Sequence, residues 1–176
     1  MKIALIIGHK KASPGACNKH AGVCEFEFNE KLAHDIASTG ELEDLHIVYR
    51  RTYSKLPQDV NTLNPDVAVS LHCNAFNEKA TGSEVLFYHS STKGEKIADV
   101  FQRNIVGALG LTDRGIKPKG TEDRGGYILR YTHAPCIIVE PFFIDNDRDL
   151  EIVRNRYDYF VAALINSFKE IEAIII

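Results

Sequence analysis

Apolar residues fall in two patterns along this chain. Short unbroken runs, Ile3-Ala-Leu-Ile-Ile7, Val67-Ala-Val-Ser-Leu71 and Cys136-Ile-Ile-Val139, read as strands buried on both faces of a parallel sheet. Longer segments with helical spacing lie between them. Together the patterns predict strands near 2–7, 45–50, 67–71, 84–88, 126–130 and 136–140, and helices near 24–38, 94–109 and 147–170. Strands alternating with helices predict an α/β domain with a twisted, mostly parallel central sheet flanked by helices on both faces. Ser13-Pro14-Gly15 marks a loop over 11–18, and the polar, glycine-rich stretch 117–126 reads as a loop placed to border a cleft. With no internal repeat, low-complexity tract or linker, the 176 residues are read as one catalytic domain, 1–176, without a separate binding module.

Composition narrows the partners. Apolar residues make up 44% of the chain, enough for a packed core, so disorder is not the reading. The formal charge of −3 is spread without a basic stripe, which argues against nucleic acid. No run approaches the ~20 apolar residues that span a bilayer, so membrane insertion is not expected. The opening Met1 to His9 lacks the longer apolar core and cleavage site of a secretory signal, so synthesis in the cytoplasm without a leader is expected. The cysteines, at 17, 24, 73 and 136, form no Cys-x-x-Cys pair. Cys73 and Cys136 read as small core residues; nothing in the spacing requires a disulfide or excludes one.

Angular position picks out one residue of the 24–38 helix. At about 100° per residue, Phe28, Leu32 and Ile36 form an apolar face with Ala33 at its margin. Glu27, Glu30, Lys31, His34 and Asp35 gather on the opposite side, with Glu27 and Lys31 spaced as an i,i+4 pair. Glu25 and Asn29 fall on the apolar face. An inward acid needs a partner or a metal to offset its desolvation. The plainer alternative is a first-turn glutamate favoured by the helix dipole.

Each buried run also ends on a residue able to bind a metal or move a proton: His9, His72 and Glu140. In open α/β sheets ligands collect beyond the carboxyl ends of the strands, so these three are expected to share one rim. His9, Glu25 and His72 make a two-histidine, one-carboxylate set of the kind that holds catalytic zinc with one position open. Their spacings of 16 and 47 residues match no short zinc signature, so the grouping rests on the predicted strand ends. Plainer alternatives are a turn hydrogen bond for His9 and a backbone-bonded core role for His72. Glu140 is harder to dismiss, because an unpaired buried carboxylate costs several kcal/mol. The histidines at 20, 34, 46, 89 and 133 lack this context.

These residues resemble a known family. Gly8-His9 followed by Pro14-Gly15-Ala16, then Glu25 with Asn29, is similar to the opening of the zinc-dependent N-acetylmuramoyl-L-alanine amidases of the amidase-3 type. Ser70-Leu-His-Cys-Asn-Ala75, Gly82-Ser-Glu-Val-Leu-Phe-Tyr88, Leu129-Arg130, Pro135 and Val139-Glu-Pro-Phe-Phe-Ile-Asp-Asn146 resemble that family's later segments, in its order, from about residue 2 to 155. The resemblance implies one Zn²⁺ per chain held by His9, Glu25 and His72. It also implies Glu140 as catalytic acid/base, Asn74 and Arg130 as substrate-binding residues, and peptidoglycan as substrate. A compact monomer of this kind resembles a phage endolysin that acts at the cell wall or periplasm after release, with a prophage or host autolysin as alternative. The chain departs from the family where Ile6-Ile7 precede Gly8, where Lys10-Lys11 follow His9, and at Pro141-Phe142. The stretch between Arg51 and Asp66 is shortened and lacks the family's arginine-bearing helix. Three competing readings remain: a zinc peptidase or deacetylase on another wall amide, a non-catalytic wall-binding module, and a hydrolase using Cys17 or Cys24 as nucleophile. The closing Ile171 to Ile176 is too short to span a membrane and is expected to extend the final helix or pack on the core.

Overall fold

The structure is a computed structural model, and it describes residues 1–175. The order of elements is β1 (Ile3–Ile7), a two-strand hairpin of β2 (Cys17–Asn18) and β3 (Val23–Cys24), α1 (Glu25–Ser38), β4 (Leu45–Tyr49), α2 (Leu56–Leu63) and β5 (Val67–Leu71). There follow β6 (Ser83–Tyr88), α3 (Thr92–Leu109), β7 (Asp113–Lys119), α4 (Gly126–Tyr131), β8 (Cys136–Glu140), α5 (Asp147–Asn155) and α6 (Tyr157–Ile175). Six strands form one sheet in the order β4-β1-β5-β8-β6-β7. Every neighbouring pair is parallel except β6 with β8, which is antiparallel. The expected α/β architecture is therefore the observed one.

Alternation along the strands divides the core. Ile3, Leu5 and Ile7 of β1 pack with α1, α3 and α6 on one face, where Phe101 and Phe168 meet edge to face at 5.1 Å. Ala4 and Ile6 turn to the other face, against Leu56 and Val60 of α2 and Ile128 and Leu129 of α4. Both faces of β1 are dry, which explains its unbroken apolar run. Truncating a fully buried side chain such as Leu5 to alanine costs about 2–5 kcal/mol.

Several expectations need correction. Residues 126–130 are not a strand but the first five residues of α4. So short an apolar run does not distinguish a strand from a buried helical turn. The 117–126 stretch is partly the end of β7, an edge strand whose Lys117, Pro118 and Lys119 give it the polar character of a loop. A short helix, α2, fills the stretch after Arg51, with Pro57 in its first turn and Leu56 and Val60 one turn apart on its buried side. The 147–170 helix is two helices that break at Arg156. No glycine or proline announces that break. Lys31 bonds Asp35 at 2.5 Å rather than Glu27, and lies 4.2 Å from the centre of the Tyr157 ring. Ile171 is buried within α6, as expected of the closing segment, and Ile176 lies outside the described residues.

Candidate active site

The rim is built from strand ends. β1 delivers His9 through Gly8, β5 delivers His72, and β8 ends on Glu140. Gly8 carries the crossing: a Cβ there would lie 2.4 Å from the Leu71 carbonyl oxygen and 2.7 Å from the His72 ring. His9 adopts φ 65°, a left-handed conformation rare for a side-chain-bearing residue and typical of strain held at functional sites. Asp149 fastens the neighbouring strands. Its buried carboxylate accepts the Thr81 hydroxyl and the backbone N–H groups of Gly82 and Phe143, tying the start of β6 to the chain beyond β8.

Glu25 opens α1 and points inward, 1% exposed, as its angular position predicted. Its Oε2 accepts the backbone N–H of Ala16 at 2.8 Å and its Oε1 accepts that of Cys73 at 3.0 Å. The same two oxygens lie 3.2 Å from His9 Nε2 and 3.5 Å from His72 Nδ1. Burial pushes the Glu25 carboxyl up, but the adjacent His72 and His9 imidazoles and the Cys73 N–H outweigh it and hold the group ionised far below the usual range. Burial keeps the His72 imidazole neutral against the pull of Glu25. Ionised carboxylate and neutral imidazole are the protonation states a metal ligand needs. One ligand atom from each of His9, Glu25 and His72 lies within 4.8 Å of the others, so the three could hold one metal ion. His9 Nε2 is buried there without a hydrogen-bond partner, as a nitrogen reserved for a ligand would be. Two nitrogens and a carboxylate oxygen suit Zn²⁺.

Glu140 stands beside this cluster. Its Oε2 is buried without a partner, while the residue as a whole keeps some contact with solvent through the cleft. Burial first, and then the charge of Glu25, push its carboxyl well above the usual range. His9, His72 and Glu140 line a cleft of about 590 Å³ that is also lined by Tyr53, Tyr127 and the loop from Thr121 to Gly125. The polar stretch 117–126 thus does border a cleft.

Of the residues expected to touch substrate, Asn74 lines the cleft and Arg130 does not. The Arg130 guanidinium lies over the rings of Tyr88 and Tyr131, at 5.5 and 5.8 Å. The arginines on the cleft wall are Arg50 and Arg124, neither of which the family's motifs point to. Glu84 was also passed over. It is the register partner of Glu140, at the rim because β6 runs antiparallel. Strand direction leaves no mark in sequence, so the amino end of β6 was not expected to reach a rim built from carboxyl ends. Cys17 and Cys24 are joined in a disulfide, which leaves neither as a free nucleophile; Cys73 and Cys136 are free and buried.

An α/β domain with a histidine–glutamate–histidine cluster and a second buried glutamate at one rim has the outline of a metal-dependent hydrolase. Residues 3–169 match the profile of the N-acetylmuramoyl-L-alanine amidase family, Amidase_3, and the chain belongs to that family. It is 25% identical over 151 residues to the N-acetylmuramoyl-L-alanine amidase LytC of Bacillus subtilis, covering 81% of this chain and 29% of LytC. An uncharacterised cell wall amidase of Bacillus anthracis is 32% identical over 92 residues, 48% of this chain and 16% of that protein. The chain thus spans less than a third of either relative. Its fold superposes on an N-acetylmuramoyl-L-alanine amidase of Clostridium difficile 630 with a TM-score of 0.85, at 22% identity, over 98% of this chain and 96% of that one. The catalytic domain of the CD27L endolysin, targeting Clostridium difficile, gives 0.78 at 27% identity over 94% of both chains.

Proposed function

We propose that this protein hydrolyses the amide between the lactyl group of N-acetylmuramic acid and the L-alanine of the peptidoglycan stem peptide, using zinc. The observation that carries the reading is the meeting of His9, Glu25 and His72 beside a partnerless buried Glu140 in one cleft. His9, Glu25 and His72 would hold the metal. When bound, zinc supplies Lewis acidity toward a carbonyl oxygen and toward water.

The chain's own groups do the rest. Glu25, fixed by the Ala16 and Cys73 N–H groups, keeps its two oxygens aimed and ionised. Glu140, whose burial favours holding a proton, takes one from the attacking water and passes it to the leaving nitrogen. Water adds to the carbonyl carbon and the carbon–nitrogen bond breaks. The lactyl carboxylate and the free amino group of L-alanine remain.

We further read the activity as lytic and exerted at the cell wall, in the manner of an endolysin. The 27% identity to an endolysin catalytic domain supports this. Digestion of purified peptidoglycan, with mass spectrometry of the new ends, tests the reading. Stem peptides beginning with free L-alanine, lost on chelation and restored by zinc, are expected. Cuts within the stem peptide would make the protein a peptidase, and intact walls of every chemotype would make it a binding module. Loss of turbidity when the protein is added to cells with permeabilised outer layers tests the lytic role.

A further inference from the structure

Beside the metal cluster the rim carries a second polar arrangement with no part in holding the metal. The Asn74 backbone is locked on both sides, its N–H donated to the Phe142 carbonyl at 2.9 Å and its own carbonyl accepting the Ile144 N–H at 2.9 Å. Its side-chain Nδ2 donates to Glu84 Oε1 at 2.8 Å. The other oxygen of Glu84 accepts Arg114 Nε at 2.8 Å, and the Arg114 guanidinium lies 5.0 Å from the centre of the Phe143 ring. An ionised carboxylate offers only acceptors, so Asn74 must turn its NH₂ toward Glu84. Its Oδ1 is thereby left to the cleft that both residues line.

We propose that Glu84 is a positioning residue that fixes the orientation of the Asn74 amide, so that Asn74 Oδ1 accepts a peptide N–H of the substrate beside the scissile bond. This rests on the amidase reading. Both Glu25 oxygens are already engaged, and Glu140 is reserved for the proton. A neutral oxygen suits a neutral N–H, because it is desolvated at less cost than a charged one. Glu84 is the cross-strand partner of Glu140, so the acceptor is held next to the reacting groups.

The test exchanges the two functional groups. In E84Q the new side chain keeps its oxygen on Arg114 and turns an NH₂ toward Asn74, which must flip and present a donor to the cleft. In the double variant N74D/E84Q the carboxylate and the carboxamide trade places. The net charge is unchanged and an acceptor faces the cleft again. With a soluble N-acetylmuramoyl-peptide as substrate, E84Q is expected to raise KM roughly tenfold, the factor for one hydrogen bond, with kcat little changed. The double variant is expected to recover most of that loss. A wild-type KM in E84Q, or a double variant no better than E84Q, would overturn the proposal.

A second measurement needs no turnover. In the ¹⁵N spectrum of the wild-type protein the Asn74 side-chain NH₂ is expected to exchange slowly with solvent, and in E84Q rapidly. Rapid exchange in the wild type overturns the assigned orientation even if E84Q fails to fold. Absence of muramoyl-amide cleavage by the wild type, with slow exchange intact, would instead remove the amidase reading.

Discussion

Glu25 Oε2 and His9 Nε2 lie 3.2 Å apart, and the histidine nitrogen is buried with no hydrogen-bond partner. Such an arrangement is incomplete as a hydrogen-bond network, and on the proposed reading it is two of the three ligands of a metal site. Zinc at a thousand times its dissociation constant is expected to add about 4 kcal/mol of stability. Substituting His9, Glu25 or His72 by alanine should remove both the bound metal, measured by elemental analysis, and the shift in melting temperature. A zinc-induced shift that survives in all three variants would place the metal elsewhere.

Without metal, Glu25 should also shape the acid limb of the stability curve. Its folded-state pKa is depressed, so the stability it contributes is present above its unfolded value near 4.5 and is lost as pH falls toward the folded value. Urea unfolding of metal-free protein from pH 7 to 3 is expected to show a steeper loss in the wild type than in E25Q. Parallel curves would mean that the two histidines do not hold the carboxylate in its charged form.

Glu140 carries the opposite sign. Its pKa is raised on folding, so its favourable contribution is complete below the unfolded value near 4.5 and is lost as pH rises toward the folded value. Replacing it by glutamine leaves a neutral side chain of the same shape. Metal-free E140Q is therefore expected to melt at or above the wild-type temperature at pH 7, with the difference shrinking at pH 4. Turnover should fall by about 10²–10⁴-fold, the usual contribution of an acid/base group, while zinc still binds. Full turnover in E140Q would remove the mechanism.

Much of this was legible in the chain. Dry strands write themselves as unbroken apolar runs, so β1, β5 and β8 could be read together with the residues at their ends. The inward turn of Glu25 followed from helical periodicity alone. What escaped notice was set by tertiary context. The Gly126–Tyr131 segment is helical because it packs with α2 against the sheet, and its composition is equally that of a strand. Glu84 reaches the rim only because β6 runs against its neighbour β8, a choice made by the connection and not by the strand's own residues. Arg124 lies in the polar loop before α4 and Arg130 in the last turn of that helix, and the packing of α4 decides which of them faces the cleft.

Gly15 shapes the loop that packs against Glu25 and His9. It adopts φ +84°, and a Cβ there would fall 2.5 Å from Glu25 Oε2 and 2.7 Å from His9 Cδ2. Gly15→Ala meets both a backbone penalty and a clash with Glu25 and His9, and the backbone share alone is of order 1–3 kcal/mol. The variant should fold less stably and bind zinc more weakly than wild type, with titration calorimetry as the measure. A variant that loses stability but keeps the wild-type zinc affinity would show that the loop can rearrange without moving Glu25 or His9.

The Cys17–Cys24 disulfide closes the hairpin immediately before Glu25. The same segment donates the Ala16 N–H to the Glu25 carboxylate and accepts the Glu25 and Phe26 backbone N–H groups at the Ala16 and Pro14 carbonyls. Closing a loop of this length restricts the unfolded chain by about 2 kcal/mol. The double variant C17S/C24S is expected to lose stability of that order, and reduction of the wild type by a dithiol should match it. Because the bond also braces the loop that orients Glu25, zinc affinity should fall in both cases, and it should return when the reduced wild type is reoxidised. Equal loss of stability with unchanged zinc affinity would confine the disulfide to the unfolded state. Stability lost on adding dithiol to C17S/C24S would place the sensitive thiols at Cys73 and Cys136, both of which lie buried in the core.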